Sequence, residues 1–127
     1  TDDHAPARAS LTQILSLVSK FEIVGEAVDG LDALHKARLL QPDIVLMDLT
    51  MPRLDGLEAT RRLTAEFPRV KVIGLSMHDP AEMQPQMRAA GAYCFLHKST
   101  PADDLIAAIR AAMGLDVQED TAKDEPE

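Results

Sequence analysis

Ile44-Val45-Leu46-Met47, followed at once by Asp48, is the stretch that decides the fold. An apolar run without polar alternation reads as a strand covered on both faces, as in a parallel sheet. Working outward, Leu31, Leu34, Ala37 and Leu40 lie ahead of it at helical spacing and are ended by Pro42. Met51 to Gly56 reads as a loop, and Leu57 to Phe67 as a helix closed by Pro68. Val70 to Leu75 is a second buried strand. Pro80 to Ala90 is a helix interrupted by Pro85, and Tyr93 to His97 is a third strand. Ala102 to Met113 is a helix with Leu105, Ile106, Ile109 and Met113 on one side and Gly114 as its stop. On the amino side, Ala5 to Val18 is helical in pattern, Phe21 to Ala27 is a strand candidate and Asp29-Gly30 marks a turn. Strand and helix alternate with short connections, which predicts an α/β fold with a parallel sheet and helices on both faces. One departure stands out. The chain opens at Thr1-Asp2-Asp3 directly before a helix, so a first strand is expected to be missing from it.

The 127 residues suffice for one domain. With 3% aromatics and no Trp, its core must be built from Leu, Ile, Val, Ala and Met. Residues 1–114 carry the periodic pattern and 115–127 read as an acidic, solvated tail. From Asp116 on, six carboxylates face only Lys123, and they account for most of a net charge of −8. That charge argues against a nucleic-acid surface. No apolar run approaches the length of a membrane span, so no membrane insertion is expected. A single cysteine, Cys94, and no secretory pattern point to a reducing cytoplasm.

In an open parallel sheet, ligands bind beyond the carboxyl ends of the strands. Asp48 follows the first apolar run, Ser76 the second and Lys98 the third, while Asp2 and Asp3 would follow the missing strand. Alone, each has a plain explanation: helix capping for Asp2 and Asp3, a turn residue for Asp48, an ordinary strand-end hydroxyl for Ser76 and a surface charge for Lys98. Together they make a coherent device. Crowded carboxylates repel one another, and a hard, oxygen-preferring cation such as Mg²⁺ relieves that repulsion. A carboxylate can attack phosphorus to form an acyl phosphate, with Lys98 and the metal stabilising the phosphoryl oxygens and Ser76 donating a hydrogen bond.

Leu46-Met47-Asp48-Leu49-Thr50-Met51-Pro52-Arg53-Leu54-Asp55-Gly56 resembles the phosphorylation-site segment of two-component receiver domains. The resemblance runs from Asp2 to about Met113. It takes in Asp2-Asp3-His4, Val24-Gly25-Glu26-Ala27, Gly74-Leu75-Ser76, Ala90-Gly91-Ala92 and Phe95-Leu96-His97-Lys98. It implies a flavodoxin-like, doubly wound five-stranded sheet of order 2-1-3-4-5 with five helices, the missing strand being the central one. Upstream residues or a partner chain would then supply it. The resemblance also implies Asp48 as phosphoacceptor and Mg²⁺ held by Asp3 directly, by Asp2 through water, by Asp48 and by the backbone carbonyl of Thr50. Ser76 and Phe95 would be the switch pair and Lys98 the phosphoryl-pairing lysine. Thr50 and His78 match positions that set phosphoryl lifetime. Partners would be a histidine kinase or a histidine phosphotransfer domain, with a homodimer through the fourth helix, fifth strand and fifth helix as a further option. Three positions are unusual: Pro85 inside the fourth helix, Ser99 where proline is common, and Met77, which would restrict the site or simply pack.

The acidic tail offers no helix-turn-helix pattern. This favours the C-terminal receiver of a hybrid sensor histidine kinase over the receiver of a DNA-binding response regulator or a stand-alone receiver. The domain itself would not be a turnover enzyme, although a parent hybrid chain would be a kinase. A haloacid-dehalogenase-like phosphatase would need a second Asp where Thr50 stands. A degenerate, partner-binding receiver conflicts with the complete set of side chains. A flavin-binding domain would need a phosphate loop after the first strand.

Overall fold

Three parallel strands in the order β1-β2-β3 form the sheet: β1 (Ile44–Asp48), β2 (Lys71–Ser76) and β3 (Cys94–His97). The computed structural model describes residues 1–49, 56–77 and 80–114. Five helices accompany the sheet: α1 (Ala5–Ser16), α2 (Gly30–Leu40), α3 (Gly56–Glu66), α4 (Pro80–Ala90) and α5 (Ala102–Ala112). The 115–127 tail lies outside the described residues.

The unalternating runs of β1 and β2 are explained by two cores. Val45, Met47 and Val72 pack with Ala33, Leu34, Ala37, Ala59, Leu63 and Met87, so α2, α3 and α4 cover one face. Ile73 and Leu75 pack with Leu15, Leu105, Ile109 and Ala112, so α1 and α5 cover the other. Helix ends follow the local chemistry. The Asp32 amide donates to the Asp29 side chain at 2.8 Å, and the Val28 amide donates to the Asp32 carboxylate at 3.0 Å, closing the start of α2 from both sides. α2 ends at Gln41 in the left-handed region (φ 51°), directly before Pro42. Pro85 does not interrupt α4, which runs from Pro80 through it to Ala90. A proline removes one backbone donor, and neighbouring turns and packing can carry the helix past it.

Phe21–Ala27 forms no strand, contrary to the periodicity. A strand needs a neighbour to pair with, and the described residues give this segment one at its Ala27 end. The Thr1 amino group donates to the Leu46 carbonyl at 2.7 Å and the Asp48 amide donates to the Thr1 carbonyl at 3.0 Å, the pattern of one parallel rung. On its other side the Asp2 amide donates to the Ala27 carbonyl at 3.0 Å. Thr1-Asp2 thus sit between β1 and the Phe21–Ala27 segment, where the central strand of the expected order would end. Beside them lies a cavity of about 500 Å³, lined on one side by Leu15, Ile109 and Met113 and on the other by Ala33, Ala37 and Leu40.

Gly56 brings α3 against the end of β1. A Cβ there would lie 2.2 Å from the Asp48 carbonyl oxygen and 2.8 Å from the Leu49 Cα, both backbone atoms that cannot step aside. Alanine favours a helix over glycine by about 1 kcal/mol, but overpacking of this kind costs about 1–3 kcal/mol. Gly56→Ala should therefore lower the urea midpoint at an unchanged m-value, and an unchanged midpoint would mean that α3 shifts freely.

Candidate functional site

The carboxyl ends of the three strands bring the expected side chains to one edge. Asp48 closes β1 and is only 2% exposed; Ser76 closes β2 and is 1% exposed. Lys98 follows β3, and its amide donates to the Ser76 carbonyl at 2.8 Å, which extends the β2–β3 ladder one rung into the site. The single rung made by Thr1 delivers Asp2 to the same edge, where it is buried, with Asp3 beside it and exposed. Asp2 is held firmly. The His4 amide donates to its Oδ1 at 2.9 Å, and Arg8 Nη1 donates to its carbonyl at 2.8 Å. Asp2 therefore serves the start of α1 while its other oxygen faces the site.

Lys98 Nζ lies 3.1 Å from Asp48 Oδ2 and 3.2 Å from Asp2 Oδ2. Burial alone would lower the ammonium pKa, but hydrogen bonds to Asp48 and Asp2 outweigh it and hold it above the ordinary lysine value. Asp2, Asp3 and Asp48 each offer an oxygen, and these three atoms lie within 4.8 Å of one another. Three carboxylates against one ammonium leave an excess of negative charge on an all-oxygen donor set. That chemistry fits a hard divalent cation such as Mg²⁺.

Phe95 is partly buried against the α2–α3–α4 core and lies opposite Gly74 in the ladder. A Cβ at Gly74 would come within 2.7 Å of Met87 Cε and 3.3 Å of Phe95 Cβ, so glycine makes the room in which both side chains sit. Met77 is 60% exposed, which removes the packing explanation for it. Among the described residues no peptide bond is cis, so Ser99 follows Lys98 through an ordinary trans bond. Thr50 and His78 lie outside the described residues. Two residues escaped the sequence argument. Arg8 is not singled out there, and His97 enters only within the third strand and the Phe95-Leu96-His97-Lys98 segment. Arg8 reaches Glu26 as well as Asp2, and His97 reaches the Met77 carbonyl, contacts that no local pattern announces.

The comparisons with known proteins agree with this geometry. The family described as the response regulator receiver domain matches residues 1–110. The transcriptional regulatory protein DegU of Brevibacillus brevis is 38% identical over 86% of this chain and 46% of its own length. The response regulator GacA of Pseudomonas viridiflava is 37% identical over 86% of this chain and 51% of its own. The chain thus spans about half the length of these relatives. Among solved structures, the receiver domain of the putative response regulator NarL from Mycobacterium tuberculosis superposes with a TM-score of 0.84 at 30% identity, covering 89% of this chain and 91% of that one. The response regulator domain of Thermotoga maritima CheB gives 0.82 at 33%, covering 91% and 93%. These relatives are response regulators, and none of them supports a hybrid sensor kinase as the parent. With the family match, the parallel sheet and the strand-end carboxylates in agreement, the chain belongs to the response regulator receiver domains.

Proposed function

We propose that this domain accepts a phosphoryl group on Asp48 from a phosphohistidine donor, a histidine kinase or a histidine phosphotransfer domain. The observation that carries the proposal is Asp48 itself, a buried strand-end carboxylate 3.1 Å from Lys98 Nζ and clustered with Asp2 and Asp3. An Asp48 oxygen attacks phosphorus, the bond from phosphorus to the donor breaks, and the donor leaves with the electron pair. Asp2, Asp3 and Asp48, with the Thr50 carbonyl, would hold Mg²⁺, which supplies positive charge to the phosphoryl oxygens. Lys98 supplies the same from the opposite side, and Ser76 donates a hydrogen bond to the attached group. Exchange of Ser76 and Phe95 between two positions would pass the change to the α4–β3–α5 surface, where a homodimer could form. The relatives favour a transcriptional response regulator as the parent, in place of the hybrid kinase expected from the tail. No helix among the described residues is long and apolar enough to cross a membrane.

Incubation with acetyl phosphate and Mg²⁺ should add a phosphate-sized mass of about 80 Da, the transferred group of an acyl phosphate. The adduct should require Mg²⁺ and vanish in Asp48→Asn. A folded, Mg²⁺-binding protein that gains no mass would leave the phosphoacceptor proposal without support and favour a degenerate, partner-binding receiver.

A further inference from the structure

The loop after β2 and the turn after β3 both border the site, and one side chain joins them. His97 Nε2 lies 2.9 Å from the Met77 carbonyl oxygen. A carbonyl only accepts, so Nε2 carries the proton and donates. The other ring nitrogen faces two donors: the Ser99 amide at 3.0 Å and the Ser99 hydroxyl at 2.7 Å. Nδ1 is therefore the acceptor, and the contacts assign a neutral ring protonated at Nε2.

The placement gives this ring a use. The last backbone rung between the two strands is the Lys98 amide donating to the Ser76 carbonyl at 2.8 Å. One residue further along β2's exit, the Met77 carbonyl is taken up by the His97 ring instead of by backbone. The side chain thus continues the ladder by one rung, past the strand ends. Its neighbours on either side are the hydroxyl and the ammonium of the site: Ser76 precedes Met77, and Lys98 follows His97. Met77 is 60% exposed, so side-chain burial does little to hold its peptide in place.

We infer that His97 is a positioning residue, a clamp that fixes the spacing between the Ser76 loop and Lys98 through its bond to the Met77 carbonyl. This rests on the phosphoacceptor reading. Groups that must meet a phosphoryl unit together gain rate from being held at a set separation before it arrives.

Three substitutions separate the two ring contacts. Gln places a side-chain amide where Nε2 stands and can still donate to Met77. Asn places its oxygen near Nδ1 and can accept only from Ser99. Phe keeps the ring and loses both. The rate of Asp48 adduct formation from acetyl phosphate should fall roughly two- to tenfold in His97→Phe and His97→Asn, the equilibrium weight of one neutral hydrogen bond. His97→Gln should recover most of it. Ring ¹⁵N shifts of the unmodified protein should show the Nε2–H form.

Equal rates in all four proteins would overturn the clamp, as would rescue by Asn rather than Gln, or an equal loss in all three variants together with a lowered melting temperature. A different ring form would also overturn it. Failure of the parent reading looks different: no adduct forms even with His97 in place, and both proposals then fall together.

Discussion

Lys98→Met should reduce the rate of adduct formation on Asp48 by about 10²–10³-fold, the usual cost of removing one preorganised charge or donor from a reacting oxyanion. The ammonium stands 3.1 Å from the nucleophile's carboxylate and is tied there by Asp2 as well, so it is in place before any phosphoryl group arrives. The same change should act on stability. Asp48 and Asp2 are 2% and 3% exposed, so the bonds from Lys98 are made away from water, and its removal takes one donor from each carboxylate. Leaving buried polar groups short of a partner costs about 1–3 kcal/mol, which should appear as a lower denaturant midpoint at neutral pH. The pH dependence has a definite sign. Lys98 has a folded pKa above the ordinary 10.5, so its contribution is fully present below the unfolded lysine pKa. It is lost as pH rises through the higher folded value. The midpoints of the unmodified protein and Lys98→Met should therefore converge as the pH rises above about 10.5. A constant gap through that rise would mean that the loss comes from packing of the aliphatic stem.

Five apolar residues added ahead of Thr1 should raise the melting temperature by about 10 °C, equivalent to roughly 2–3 kcal/mol for a domain of this size. The slot for them is already shaped. Apolar side chains from α1 and α5 line one side and those of α2 the other, around a cavity of about 500 Å³. A strand there would be covered on both faces, so its residues should all be apolar. The Thr1 amino group is placed as a strand amide would be, donating to Leu46. Five alternating Lys and Glu residues should give no rise, because burying charges against the apolar side chains of α1, α2 and α5 costs more than it returns. The apolar extension should also slow exchange of the Leu46 amide, which the ladder's alternation turns toward the slot, and convert Phe21–Ala27 into a paired strand. If the melting temperature rises equally with both extensions, the slot is not what the added residues fill.

Ile44–Met47 and Val70–Leu75 announced a parallel sheet because a strand hidden on both sides has no reason to alternate. The identity of the polar residue after each run then followed from position alone. Asp48, Ser76 and Lys98 needed no distance measurement to be grouped, because strand ends of one parallel sheet lie on one edge by geometry. Phe21–Ala27 shows the limit of the same logic. Its composition suits a strand, but strand formation depends on a neighbour, and among the described residues the backbone bond across to it is that of the Asp2 amide to the Ala27 carbonyl. Pro85 shows it from the other direction, since packing around α4 overrides a local preference. Only the tertiary structure decided which oxygen of Asp2 faces Lys98, that Gly56 and Gly74 are spaces for Asp48's backbone and for Met87 with Phe95, and that His97 reaches the Met77 carbonyl. Each of these joins residues distant along the chain, and periodicity carries only local information. The order of elements and the residues at their ends were therefore legible in the sequence, while the contacts that set their spacing depend on how separate segments pack.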